Sequence, residues 1–205
     1  MLALNYSILQ EILKTTEDII KFPKAGGEPV LLAEHPSFLI DSSPGIAVDG
    51  THVYWSDDSV DEIRKIALDG SDGQVFTTLA SGLNNPGHIV LDSTHVYWIE
   101  ETGGVLRKVP KEGGTIVTLL TGLTNPHGLT VDDTHAYWTE GVLIPTGLEP
   151  PGAIKKITKD GGVAVTVVSG LNGPSDLIVD TVSVYWTETL GEFPIPLGTV
   201  KKASK

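Results

Sequence analysis

Two histidines and an aspartate occupy related positions in successive parts of the chain, and their side chains are suited to chemistry. His88, His127 and Asp176 each lie at or just before the start of a short apolar run that ends in aspartate. Two imidazoles and a carboxylate suit a divalent transition metal. The positions differ in depth, however, because His127 aligns with Gly87 rather than with His88. Solvated or turn-bonded polar residues are therefore the favoured interpretation, and a metal or catalytic site is the alternative.

Composition narrows the remaining classes of function. The sequence has no cysteine, which excludes disulfides and thiolate metal sites. No nucleophile motif and no phosphate-binding glycine loop is present. The net charge is −12, with 26 acidic residues against 14 basic ones. Nucleic acid and anionic membranes are disfavoured as partners, because phosphate groups require clustered lysine and arginine.

No part of the sequence predicts a membrane span. A spanning helix needs about 18 consecutive apolar residues, and no run approaches that length. No secretory signal is visible either, since Asn5, Gln10 and Glu11 interrupt the N-terminal segment where an unbroken apolar region is required. The expectation is an acidic, soluble protein whose compartment the residues do not specify.

An internal repeat supplies the elements that would position the candidate residues. A stretch that contains Tyr-Trp and ends in an acidic residue occurs four times, and its tryptophans recur every 40 to 48 residues. A period in this range indicates a stack or ring of similar units. The copies lie at residues 49–57, 92–100, 132–140 and 180–188.

Each unit predicts four short β-strands. An apolar strand ending in aspartate precedes the Tyr-Trp strand, which is followed by a strand with a basic pair and, after a glycine-rich hairpin, by a fourth strand. Such runs, separated by Gly, Pro and Asp turns and lacking a helical period, are typical of four-stranded antiparallel sheets. Sheets of this kind repeated radially form an all-β fold, the β-propeller.

We predict a single propeller domain over residues 1–205, with five blades. The unit boundaries fall at residues 18–43, 44–86, 87–126, 127–174 and 175–203. The first of these units supplies only the third and fourth strands, and the last supplies only the first three. Residues 1–17 form either a partial first blade or a short amphipathic helix. With a helix there, the N-terminal strands would complete the last unit and leave four blades.

The repeats resemble the YWTD repeat of low-density-lipoprotein-receptor-type propellers and of their bacterial relatives. The resemblance rests on Tyr-Trp-Ser-Asp at 54–57 and Tyr-Trp-Thr-Glu at 137–140 and 185–188. The copy at 54–57 is followed by Ile-Arg-Lys-Ile, and the copy at 137–140 is followed by Ile-Lys-Lys-Ile. The resemblance implies a ring that usually has six blades, so an incomplete six-bladed ring is a further alternative. It also implies an extracellular or periplasmic location where a signal has been removed.

Positions that recur in every unit are expected to serve the fold. The Tyr-Trp pairs are suited to packing between blades, since large aromatic side chains fill such interfaces. The acid that ends the motif is expected to neutralise the basic pair on the next strand. The histidines that begin the motif are expected to form turn hydrogen bonds. These acids and histidines are Asp57, Glu100, Glu140 and Glu188, and His52, His95 and His135.

The loops between the second and third strands differ most between units. The third unit carries an insertion at residues 141–152 and the fourth at residues 190–198. Propeller geometry places both loops on the face that carries His88, His127 and Asp176. Their apolar residues are candidates for a binding surface or for a cover over the channel mouth. These residues are Val142, Leu143, Ile144, Phe193 and Ile195.

We therefore predict a non-catalytic binding or scaffold propeller that recognises a protein, a peptide or a glycan through this loop face and needs no cofactor. The alternative is a metal-dependent enzyme. At the level of the propeller fold, the chain is also similar to gluconolactonase-type hydrolases and virginiamycin B lyase, which implies metal or histidine chemistry at the channel mouth. Unpaired blade edges at both termini also predict a homo-oligomer.

Overall fold

The structure is a computed structural model and describes residues 19–33, 45–73, 75–141, 151–190 and 197–205. Within these ranges the chain forms β-strands joined by turns, arranged as five antiparallel sheets. The described residues contain no helix long and apolar enough to cross a membrane. Residues 1–17, for which the sequence leaves a strand and a helix open, lie outside the described part.

The five sheets follow one another along the chain. The first pairs β1 (Ile19–Lys21) with β2 (Val30–Ala33). The second holds β3 (Ile46–Val48), β4 (His52–Asp57), β5 (Glu62–Ala67) and β6 (Thr77–Ala80). The third holds β7 (Pro86–Leu91), β8 (His95–Glu100), β9 (Val105–Pro110) and β10 (Val117–Thr121). The fourth holds β11 (Pro126–Val131), β12 (His135–Glu140), β13 (Gly152–Thr158) and β14 (Val165–Leu171). The fifth holds β15 (Pro174–Val179), β16 (Ser183–Leu190) and β17 (Leu197–Ser204).

This arrangement confirms the predicted all-β propeller architecture. The first strands β3, β7, β11 and β15 contact one another in series, so they line the centre while the later strands lie outside. Among the described residues, the sheet at residues 19–33 has two strands and the fifth sheet has three. The number of blades in a closed ring stays a prediction.

The turn between the first two strands is set by the aspartate that ends the apolar run. In the third sheet, Asp92 Oδ1 accepts hydrogen bonds from the backbone N–H groups of Thr94 and His95, both at 2.7 Å. This is the turn-forming use of an aspartate side chain. Nδ1 of His95 lies 2.7 Å from Oγ1 of Thr94, which confirms that the repeated histidine belongs to the turn. The same Thr–His contact occurs at His52 and His135.

The hydrophobic core lies between successive blades. The tyrosine of one blade packs in the same cluster as the tryptophan of the next, as with Tyr97 and Trp138. Both side chains are buried, with Tyr97 at 1% exposure and Trp138 at 0%. The predicted structural role of the Tyr-Trp pairs in packing between blades is therefore confirmed for these rings.

The predicted neutralisation between neighbouring strands is also confirmed. Glu140 lies 2.7 Å from Nζ of Lys155 and also accepts the indole N–H of Trp138 at 2.8 Å. Because a buried carboxylate is stable only when its lone pairs are satisfied, this pair of donors explains the acid. The corresponding cation–carboxylate pairs are Arg64–Asp57, Arg107–Glu100 and Lys201–Glu188.

Candidate functional site

The three candidate residues lie at one end of the central ring of strands. His88 lies on β7, His127 lies near the start of β11 and Asp176 lies on β15. Strand β11 contacts both β7 and β15, so the fourth sheet separates the other two. The three residues therefore come from successive sheets, on neighbouring first strands, and their predicted role at a channel mouth stays a prediction.

A residue in the left-handed region followed by proline sets the start of each of these strands. The left-handed residues are Asn85 with φ 56, Asn125 with φ 44 and Gly173 with φ 56. Asparagine and glycine adopt this conformation most readily, and the proline that follows fixes its own φ. The carbonyl of Asn125 accepts a hydrogen bond from the backbone N–H of Gly141 at 3.0 Å. This turn holds the end of β12 beside the start of β11 and thereby positions His127.

His88 and Asp176 meet across the mouth. Nε2 of His88 lies 3.1 Å from Oδ1 of Asp176, although the two residues are separated by a whole blade. Nδ1 of His88 lies 3.9 Å from Oε1 of Glu101. It is buried and has no hydrogen-bond partner in the described part of the chain. The Asp176 side chain is 74% exposed, so the pair is accessible from solvent.

His127 is directed away from this pair and towards the base of the third unit's insertion. Its Nε2 lies 3.1 Å from the carbonyl oxygen of Gly141, so Nε2 carries the proton and donates. Burial lowers the pKa of His127, while the Glu101 carboxylate acts in the opposite direction. Because the net shift is downward, the imidazole is neutral at pH 7 and Nδ1 is left as an acceptor.

The geometry brings together two of the three predicted ligands rather than all three. Among the described residues, no group of three His, Cys, Asp or Glu side chains is placed to hold a metal ion. The nearest approach to such a set is His88 with Asp176 and the more distant Glu101. A metal at this mouth stays a prediction.

Glu101 is a mouth residue that sequence reasoning missed. Glu101 directly follows β8, the Tyr-Trp strand of the third sheet. Its carboxylate lies so close to Gly87 that a Cβ atom on residue 87 would clash with it. The available signal was its alignment with Asp58, Gly141 and Thr189, which shows that this position differs between units.

The bases of both insertions emerge beside the mouth. Pro126 pairs with Glu140 and Pro174 pairs with Glu188, which places the end of each second strand next to the start of the first. The insertions therefore leave the sheets at the same end of the molecule as His88, His127 and Asp176. The predicted contact residues Val142, Leu143, Ile144, Phe193 and Ile195 lie outside the described residues.

A second set of polar contacts, at the opposite end, joins neighbouring blades and was not predicted. In the second, third and fourth sheets the aspartate of the first turn accepts a bond from a lysine of the next blade, as between Asp92 Oδ2 and Lys159 Nζ at 2.9 Å. Lys108 completes the link by donating to the carbonyl of Lys159 at 2.6 Å. Burial would raise the pKa of Asp92, but Lys159 and the turn N–H groups outweigh it and hold this pKa well below its usual range. These residues line an open groove between the blades.

Two solved structures are similar to the chain. A chain of the nidogen/laminin complex matches with a TM-score of 0.66 and 21% identity, over 86% of this chain and 68% of that one. Streptogramin B lyase matches with a TM-score of 0.55 and 16% identity, over 81% of this chain and 56% of that one. Neither a protein-family model nor a curated protein matches the sequence. At these identities the similarities establish the fold alone, and the chain is a β-propeller.

Proposed function

We propose that the chain is a non-catalytic binding propeller that recognises a protein, a peptide or a glycan through the face carrying the insertions at residues 141–152 and 190–198. The supporting observation is the hydrogen bond between His127 and the carbonyl of Gly141, at 3.1 Å. It ties a mouth residue to Gly141 at the base of the third unit's insertion, so this base adjoins the mouth. Loops held on a rigid sheet scaffold are a common location for binding sites.

The charge of the mouth favours a ligand with a basic group. Asp176 is largely exposed and Glu101 is partly exposed, and the chain as a whole carries a charge of −12. A carboxylate pair of this kind suits a lysine or arginine side chain, which binds carboxylates through charge-assisted hydrogen bonds. The similarity to a chain of the nidogen/laminin complex supports a protein or peptide ligand over a glycan.

The test is peptide selection followed by affinity measurement. Peptides selected from a displayed library on the wild-type protein are titrated calorimetrically into wild type, Asp176→Asn and Asp160→Asn. Asp160 is a matched control, since it is an exposed aspartate at the opposite end of the blades. We expect Asp176→Asn to weaken binding about tenfold, which corresponds to about 1.4 kcal/mol, and Asp160→Asn to leave it unchanged.

A second variant tests the insertion itself. Replacing residues 143–149 with a short glycine-serine link removes most of the third unit's insertion and keeps Gly141 and Gly152 in place. Selected peptides should bind this variant weakly or not at all. Undiminished binding to both this variant and Asp176→Asn would place recognition elsewhere on the molecule and refute the proposal.

A metal-dependent enzyme of the lactonase or lyase type is the second candidate. The contact between His88 and Asp176 favours it, because an imidazole nitrogen and a carboxylate oxygen 3.1 Å apart are two donors that one divalent cation accepts. His88, Asp176 and, after rotation, His127 would hold the metal, which would supply Lewis-acid chemistry at the mouth. Similarity to streptogramin B lyase is at the level of fold.

Calorimetric titration of metal-stripped protein with Zn²⁺ and Mn²⁺ tests this candidate directly. The enzyme hypothesis expects stoichiometric binding that is lost in His88→Ala and retained in His95→Ala, the control histidine of a turn. Absence of a metal signal in the wild-type protein would eliminate the candidate.

A further inference from the structure

Each of the three boundaries between the second and the fifth sheets carries the same ion pair, which we call the interblade lock. An aspartate at the end of the first strand binds the lysine that follows the third strand of the next blade. The pairs are Asp49–Lys111 at 3.0 Å, Asp92–Lys159 at 2.9 Å and Asp132–Lys205 at 2.6 Å. All six side chains are at most 24% exposed, so the pairs are shielded from solvent.

The fifth sheet presents one half of a lock, and no other described sheet packs against that side of it. Asp180 accepts the hydroxyl of Tyr185 at 2.9 Å, as the other lock aspartates do with their tyrosines, but no lysine of a following blade reaches it in the described part of the chain. Tyr185 is half-buried, whereas Tyr97 is 1% exposed. Val200 is 76% exposed, although its counterparts Ile63, Leu106 and Ile154 are each 0% exposed. We call this surface the acceptor face.

The sheet of β1 and β2 presents the other half. Lys21 pairs with Val30 as Lys108 pairs with Val117, and this register aligns Phe22 with Val109 and Lys24 with Lys111. Val109 is 0% exposed because it packs on the preceding blade, but Phe22 is 62% exposed. Lys24 is exposed and makes no ion pair with any described residue. We call this surface the donor face.

The sheet of β1 and β2 makes the same contacts with the second sheet that other neighbouring blades make with each other. Nζ of Lys21 donates to the carbonyl of Leu68 at 3.2 Å, as Lys65 does to Lys111 at 2.7 Å. Leu32 and Ala33 of this sheet pack in one cluster with Trp55 of the second sheet. The sheet is therefore a blade fragment in correct register, and the unmatched lysine and phenylalanine lie on the side where a preceding blade would pack.

We propose that the acceptor face of one copy of this chain binds the donor face of a second copy, head to tail. Lys24 of one copy would complete the lock at Asp180 of the other, and Phe22 would cover the apolar surface beside Tyr185 and Val200. The two faces of a single chain are both exposed, so neither covers the other. Opposite charges at matching repeat positions select this orientation, and a heterologous contact of this type extends into higher oligomers or closes into a ring.

Charge reversal tests the lock. Sedimentation velocity over a concentration series should show reversible association of the wild type, weakened at least about tenfold by Lys24→Glu and by Val200→Arg. Combining Lys24→Glu with Asp180→Lys swaps the charges and should restore association. Val163→Arg is the matched control, because Val163 is an equally exposed valine away from both faces. A wild type that stays monomeric, or loss of association in Val163→Arg as well, overturns the proposal.

Cross-linking distinguishes contact between two copies from contact between the two faces of one chain. The sequence has no cysteine, so Lys24→Cys combined with Asp180→Cys gives two unique thiols. A short bismaleimide should then join copies into a ladder on a denaturing gel. The Asp49→Cys, Lys111→Cys variant is the positive control for an intramolecular link. An internal loop product alone, or no product beside a successful control, contradicts the proposal.

Discussion

At the scale of single residues, the aspartate that ends each first strand forms a turn in the second to the fifth sheets but binds a lysine of the next blade in only some of them. Asp92 and Asp180 each form a turn of the same type in their own sheets. Asp92 accepts a hydrogen bond from the hydroxyl of Tyr97 at 2.7 Å, and Asp180 accepts one from the hydroxyl of Tyr185 at 2.9 Å. Only Asp92 also binds a lysine of the next blade, Lys159. The two positions share the backbone hydrogen bonds of the turn. They differ in the bond to Lys159 and in a bond from the Thr94 hydroxyl to Asp92 at 3.1 Å, because Val182 stands where Thr94 does.

Replacing each aspartate with asparagine should expose that difference. We expect Asp92→Asn to lower the free energy of unfolding by about 2 kcal/mol, the scale of a hydrogen bond to a charged group. Asp180→Asn should cost less, since it loses only turn contacts. Urea denaturation followed by tryptophan fluorescence, at a concentration where the chain is monomeric, measures both. Equal losses for the two variants would mean that Lys159 contributes nothing at this boundary.

At the scale of strands and blades, the sequence predicts the order of strands within a unit well and the contacts between units poorly. The apolar run, the Tyr-Trp strand and the basic pair repeat in a fixed order, and local turn chemistry is sufficient to place each strand in its sheet. The acid–base neutralisation was equally accessible, since Lys155 and Glu140 lie on neighbouring strands of one hairpin. Contacts within a unit are thus encoded by short spacing.

Contacts between units are not encoded in this way. Alignment places His88 and Asp176 at the same end of their blades, but their 3.1 Å contact depends on how the strands around the centre lean towards each other. The same alignment does not reveal that His127 is committed to Gly141. Two of the lock lysines, Lys111 and Lys159, stand just before a glycine-rich hairpin, yet the aspartate partners of all three lock lysines lie 62 to 73 positions away in the sequence.

At the scale of the whole molecule, the described sheets should differ in stability along the array, because the end sheets expose apolar side chains such as Phe22 and Val200. A repeat protein is stabilised by contacts between neighbours, so a unit packed on both sides opens less often than a unit packed on one. Sheets three and four are covered on both sides by the clusters that contain Trp98, Trp138 and Trp186. The fifth sheet is covered on one side and exposes Val200 and Ile178 on the other.

Amide hydrogen exchange followed by mass spectrometry should reveal this gradient. In dilute, monomeric protein, we expect peptides from β15–β17 to exchange at least about tenfold faster than those from β11–β13. Opening of the fifth sheet breaks contacts with one neighbouring sheet, whereas opening of the fourth breaks contacts with two. Raising the protein concentration should slow exchange in β15–β17 and in β1 together, while β11–β13 stays unchanged, since head-to-tail contact covers both end faces at once. Uniform protection along the chain in dilute protein would instead mean that the ring is closed and every blade has two neighbours.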